Sequence, residues 1–224
     1  MPRLKEDAMD YETARRNMVE SQIRTNKVTD AALLAALAAV PRERFVPAER
    51  AHAAYVDEDI PLAAGRYLME PMIFARLVQE AEAAPSDNAL LVGSATGYGA
   101  AVMAPLVRSV VALESDPALA AKGREQFARL AVIGATQAEG PLNQGWPRGA
   151  PYNLILLDGA VEVIPQALFD QLADGGRLVA VVVANGIGRA ILHTKRANIL
   201  SHRAIFDAAV YPLPGFEGKR GFVF

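Results

Sequence analysis

The chain has 224 residues, 52% hydrophobic and 21% charged, a balance that suits a soluble globular protein able to bury a sizeable core. A formal net charge of -2 with both signs interspersed leaves no electrostatic footprint for nucleic acid or an anionic membrane. Cysteine is absent, which excludes disulfides, thiolate nucleophiles and cysteine zinc sites together and fits a reducing compartment.

The opening stretch MPRLKEDAMDYETARR is charged and lacks the apolar core of a secretion signal. No apolar run is long enough to span a bilayer, so a cytoplasmic location is expected. Residues from about Tyr11 to Arg24 read as helical. VTDAALLAALAAVP follows as a compact helix, with Thr29 or Asp30 as its N-cap and Pro41 as its stop. RERFVPAERAHAAYVDEDIPLAAGRYL mixes prolines and charge with little periodicity and reads as irregular structure. Pro71 suits the first turn of a helix through MIFARLVQEAEAA, with Met72, Phe74, Leu77 and Val78 supplying apolar contacts.

From Asn88 the pattern changes to alternating strands and helices. ALLV, SVVALE, NLILLD and RLVAVVVA are short apolar strands. Helical stretches are expected around residues 98 to 106 and 117 to 130, and in VIPQALFDQLADGG, ended by glycine. Such alternation predicts a parallel sheet covered on both faces. RAILHTKRANILSHRAIFDAAVYPL alternates polar and apolar residues and reads as two antiparallel strands.

The first candidate site is the loop Gly93-Ser-Ala-Thr-Gly97-Tyr98-Gly99, where glycines let the main chain approach a ligand closely. Glu114 ends the following strand, where a carboxylate can accept hydrogen bonds from both ribose hydroxyls of an adenosine group. A tight turn beside a surface glutamate is the plainer alternative. Asp158 and Gly159 end NLILLD, where open α/β sheets place ligands. That acid either serves the site or caps the next loop. His52, His193 and His202 have no metal-ligand spacing, and no metal is expected. Trp146 reads as packing a loop against the sheet.

VPRERFVP, AYVDEDIPL, VGSATGYGAAVMA, GWPRGAPYNLILLDGA and IPQALFDQLADGGRLV, in that order, resemble the protein-L-isoaspartate O-methyltransferase family from about Arg15 to Leu213. The resemblance implies an α/β fold with a Rossmann-like class I methyltransferase sheet. That sheet is mostly parallel with an antiparallel C-terminal strand pair, and an N-terminal helical extension precedes it. On this reading residues 1–84 form the extension and substrate-side segment, and 85–224 the core. It also implies S-adenosyl-L-methionine as cofactor, held around Gly93, Ala95, Gly97, Tyr98, Glu114 and Asp158. The reaction would be methyl transfer to a protein or peptide carboxylate, in protein repair.

Several positions depart from the family pattern. Leu91 stands where the family has an acid, Ala95 where it has a second glycine, and Gly140-Pro141-Leu142 where its acid meets the adenine. Tyr67-Leu68-Met69-Glu70-Pro71 replaces the substrate-side Thr-Ile-Ser-Gln-Pro. A carboxylate of pKa about 4 is already ionised at neutral pH and needs alignment and hydrogen-bond donors, not a base. The Met69 thioether donates nothing. Glu70 would repel such a substrate by up to ~4 kcal/mol at about 4 Å and an effective dielectric near 20, unless Arg66 offsets it by pointing inward, a direction the sequence does not reveal. Cofactor affinity is therefore expected to be weak or lost. Three readings stand: a methyltransferase, a non-catalytic relative that keeps the fold and binds a partner or ligand, and a nicotinamide-dependent oxidoreductase.

Overall fold

A computed structural model describes residues 10–218 of the chain. Helix α1 (Tyr11–Asn17) starts at Asp10, whose carboxylate accepts the Thr13 amide. A π-helical turn at Met18–Ile23 continues it and buries Met18, Val19 and Ile23. Helix α2 (Ala31–Ala39) is capped by Asp30, which accepts the Leu33 N–H at 2.7 Å, so Asp30 and not Thr29 is the N-cap.

The stretch expected to be irregular carries two 3₁₀ turns and then a hairpin of β1 (Ile60–Ala63) and β2 (Arg66–Leu68). Its strands of three and four residues are too short to show a period. An arginine also stands at an inward-facing position of β2, which masks the alternation. Helix α3 (Pro71–Glu80) begins on Pro71 as expected and buries Ile73, Phe74, Leu77 and Val78, with Met72 partly buried.

The main sheet follows: β3 (Asn88–Val92), α4 (Tyr98–Met103), β4 (Ser109–Glu114), α5 (Pro117–Arg129) and β5 (Ala135–Glu139). Then come β6 (Tyr152–Val161), α6 (Gln166–Asp170), β7 (Leu172–Ala184), β8 (Ile187–Arg196) and β9 (Ile199–Asp207). The seven strands lie in the order β5-β4-β3-β6-β7-β8-β9. Those from β5 to β7 run parallel, and β8 and β9 are antiparallel.

Two further elements differ from expectation. ATQAE forms β5, a half-exposed edge strand with too little apolar character to announce itself. In VIPQALFDQLADGG only five residues are helical, and β7 already begins at Leu172. The glycines belong to an irregularity in that strand. Pairing jumps from Tyr152↔Leu172 to Leu154↔Arg177, and Gly175 takes a left-handed φ of +75°.

Alternate residues of β3 enter different cores, as a doubly covered strand requires. Leu91 joins Leu154, Leu156, Val179 and Val181 on the face packed by α1, α2, α3 and α4. Leu90 and Val92 join Leu113, Ile155, Leu157 and Leu213 on the other. The chain leaves β3 toward β4 and β5 on one side and returns as β6 on the other. The carboxyl ends of β3 and β6 therefore flank the crevice where open α/β sheets bind ligands.

Candidate functional site

The glycine loop lies in that crevice, and it is full. Gly93, Ala95 and Gly97 all take left-handed backbone angles, with φ of +83°, +49° and +93°. For the alanine this conformation is costly, by roughly 1–2 kcal/mol. It aims the Ala95 amide at Glu114 Oε2, at 2.7 Å. Glu114 has no solvent exposure, and Arg66 is 5% exposed. The Arg66 guanidinium reaches it as a buried fork, Nη2 to Oε2 at 2.7 Å and Nε to Oε1 at 3.3 Å. The amides of Ser115 and Asp116 donate to Oε1 at 2.8 and 3.0 Å. A carboxylate offers about four lone-pair sites, so Glu114 has none left for a ribose. Arg66 Nη2 also donates to the Gly93 carbonyl at 2.8 Å.

Leu213 closes the rest. Its side chain packs against both Gly93 and Gly159, where an added Cβ would come within 2.5 and 2.7 Å of it. The Leu213 N–H donates to the Ala160 carbonyl at 2.8 Å, and the Ala160 N–H to the Tyr211 carbonyl at 2.9 Å. These bonds lay the segment across the end of β6. Outside it, the Tyr211 and Tyr67 rings stack with centroids 3.6 Å apart and planes 5° from parallel.

Inside Leu213, a cavity of about 10 Å³ is lined by residues including Asp59, Arg66, Tyr67, Met69, Asp158 and Tyr211, while a separate cavity of about 360 Å³ lies on the outer side of Tyr67, Tyr211 and Leu213. The inner cavity has room for about one water, whereas a cofactor-sized ligand needs roughly 300 Å³ or more. Asp158 is 6% exposed, and its Oδ1 has no hydrogen-bond partner. Burial pushes its carboxyl up to about 7, with Arg66 and Arg42 pulling it down and Asp59 and Glu114 adding to the rise. It does not cap a loop. Arg42, fully buried, donates to the carbonyls of Ala54 and Met69 at 2.7 and 2.6 Å, and burial lowers its pKa. Its guanidinium lies 4.7 Å from the ring of Tyr98, whose buried hydroxyl is unpartnered and raised in pKa by burial.

The substrate-side segment is self-occupied too. The Glu70 N–H at the start of α3 donates to Asp59 Oδ1 at 2.7 Å, and the Met72 N–H to Asp57 Oδ1 at 3.0 Å. Burial, then Asp57 and Asp59, push the Glu70 carboxyl up to about 7. The Met69 side chain is buried, and Tyr67 serves the ring stack. Any carboxylate brought here meets the carboxylates of Asp57, Asp59 and Glu70.

Gly93, Ala95, Gly97, Tyr98, Glu114 and Asp158 thus lie around one crevice, and Tyr67, Met69 and Glu70 border it. Leu91 is buried in the core and packs against Gly99 of the loop, near Asp158. Beyond Glu114, Trp146 packs against Gly140, next to Pro141, which has no N–H to offer. The histidines stand elsewhere. His52 is exposed, and His193 lies beside Phe169 and His202, its pKa pushed down to about 4 by burial and then by His202. Among the described residues no metal-binding cluster exists. Arg66 stood out only as an arginine of unknown direction, and Leu213 carried no signal. Both act across the chain, 48 residues separating Arg66 from Glu114. In this arrangement Glu114 is saturated by donors of the protein itself and Leu213 packs into the crevice.

The profile of the family described as Protein-L-isoaspartate(D-aspartate) O-methyltransferase (PCMT) matches residues 13–212. A protein-L-isoaspartate O-methyltransferase of Methanoculleus marisnigri is 36% identical over 209 residues, 93% of this chain and 95% of that one. One from Methylorubrum populi is 40% identical over 185 residues, 83% and 86% of the two chains. A solved protein-L-isoaspartate O-methyltransferase superposes with a TM-score of 0.78 at 22% identity, over 90% of this chain and 66% of that one. A Plasmodium falciparum protein described as an enzyme of this kind, in complex with S-adenosyl-L-homocysteine, superposes with a TM-score of 0.77 at 17% identity, over 92% of this chain and 99% of that one.

Proposed function

The chain belongs to the protein-L-isoaspartate O-methyltransferase family, and we propose that within it this protein is a non-catalytic member, its cofactor seat held shut by its own side chains. One observation carries the reading. Glu114, the carboxylate that would hold the ribose hydroxyls, is buried and fully engaged by Arg66 and backbone amides. A nucleoside entering the seat must break that ion pair. Breaking a buried pair costs about 3–5 kcal/mol, or roughly two to four orders of magnitude in affinity. Leu91 and Pro141 give back no compensating contact. The fold is kept, as a cytoplasmic platform for a partner or ligand, and the carboxylates at the start of α3 oppose an isoaspartyl substrate. Family membership displaces the nicotinamide-dependent reading.

Calorimetry with S-adenosyl-L-homocysteine tests this. No saturable heat is expected at micromolar concentrations, and a dissociation constant in the micromolar range or below would overturn the proposal. An isoaspartyl peptide with excess cofactor should give no methyl transfer above background. Turnover above roughly 0.01 per second, well under the usual enzyme median, would equally defeat it.

A further inference from the structure

We propose that β2 and the segment 210–213 form one lid over the glycine loop, clasped by the Tyr67–Tyr211 stack and locked by Arg66 on Glu114; opening it transfers Arg66 to Asp158 and bares the seat for a nucleoside-bearing ligand. The proposal rests on the closed-seat reading and concerns how that closure is released.

The two plugs sit on separate segments, and the clasp joins them. Arg66 and Tyr67 are neighbours on β2, one buried and one half-buried. Tyr211 and Leu213 are two residues apart, the first 51% and the second 2% exposed. In both segments one side chain faces the crevice while a tyrosine meets its counterpart outside. Because the rings lie face to face at 3.6 Å, neither segment can lift without disturbing the other.

Apart from the packing of Leu68 and Leu213, few bonds hold them. The β1–β2 sheet has only two strands, which is marginal on its own. The 210–213 segment hangs on the two bonds with Ala160 and on the Tyr211 N–H to Asp59 Oδ2 at 3.3 Å. Short segments tied by a few backbone bonds are where local opening concentrates.

The open state has a ready partner. Asp158 Oδ1 is buried and unpaired in the closed form, and Asp158 lines the same cavity of about 10 Å³ as Arg66. An unmet buried carboxylate oxygen is costly, and a guanidinium is its best mate. Arg66 therefore leaves one buried acid for another instead of being stranded.

Amide exchange and calorimetry on the full chain test the lid. In Tyr211→Ala, the amides of residues 66–68 and of Leu213 should exchange at least tenfold faster, by a common factor. S-adenosyl-L-homocysteine should bind this variant at least tenfold more tightly than the unmodified protein. Adding Asp158→Asn should reverse that gain. If Tyr211→Ala does not fold, Tyr67→Leu probes the same clasp and must behave alike. Faster exchange at Leu213 with β2 unchanged would overturn the lid, as would unchanged affinity in both clasp variants. Tight binding by the unmodified protein would instead refute the closed seat, and the exchange pattern would still decide the lid.

Discussion

Arg66 and Glu114 are a pair whose two halves have unequal resources. Glu114 keeps backbone donors from Ala95, Ser115 and Asp116 if Arg66 is removed. With the lid closed, Arg66 without Glu114 keeps only the Gly93 carbonyl, since its move to Asp158 needs the lid to open. An uncompensated buried charge is the main penalty when such a pair is broken, about 3–5 kcal/mol. Glu114→Ala should therefore lower unfolding stability by about that much, and Arg66→Met by clearly less, because the methionine fills similar apolar space and the carboxylate stays solvated by amides. Urea midpoints of the two variants give the comparison. Equal losses would mean that the backbone amides carry none of the charge of Glu114. The same inequality explains why Ala95 tolerates a left-handed backbone at φ +49°: its amide is one of those donors.

At the scale of elements, the strands hold the fold and the polar crevice does not. Leu156 in β6 and Val181 in β7 have no exposure, and both enter the face covered by the N-terminal helices. Leu156→Ala should cost about 2–4 kcal/mol through lost contacts and an unfilled cavity, and Val181→Ala somewhat less. A loss under about 1 kcal/mol at Leu156, read from thermal or urea unfolding, would contradict the packing. These strands could be read from the chain because a doubly covered parallel strand needs a continuous apolar run, and ALLV and NLILLD supply one. The positions of Gly93, Glu114 and Asp158 followed from the rule that ligand sites lie at strand carboxyl ends. The β1–β2 hairpin escaped because three or four residues set no period, and β5 because its residues are polar and half-exposed. LADGG looked like a helix end because a glycine pair marks helix stops and strand bulges alike. The closure of the site was the least readable feature. It depends on Arg66 and Leu213 meeting loops far away in sequence, and local pattern does not record such meetings.

For the whole molecule, the buried acids of the crevice make stability depend on pH in a direction opposite to ordinary salt-bridged carboxylates. Asp158 is raised to about 7 by burial, faced by Arg66 and Arg42, which lower it, and by Asp59 and Glu114, which raise it. Glu70 is also raised to about 7, and Asp59 is raised, each chiefly by burial. A carboxyl whose folded pKa lies above its unfolded value of about 3.9 holds its proton in the native state after the unfolded chain has lost it. Its contribution is fully present below about pH 4 and is lost as pH rises through about 7. His193, lowered to about 4 by burial, works the other way: its neutral form is favoured in the fold, so stability falls as pH drops below about 6.5. A raw stability curve would mix the two, so the difference between Asp158→Asn and the unmodified protein is the informative quantity. Asparagine cannot ionise, so the variant should gain stability relative to the parent as pH rises from 4 to 7, by a few kcal/mol in order of magnitude. The difference should then stay level above pH 8. Urea unfolding at pH 4.5, 6 and 8 measures it. A difference that is flat, or that shrinks with rising pH, would show that Asp158 is ionised in the native protein throughout, with Arg66 or Arg42 already as its partner.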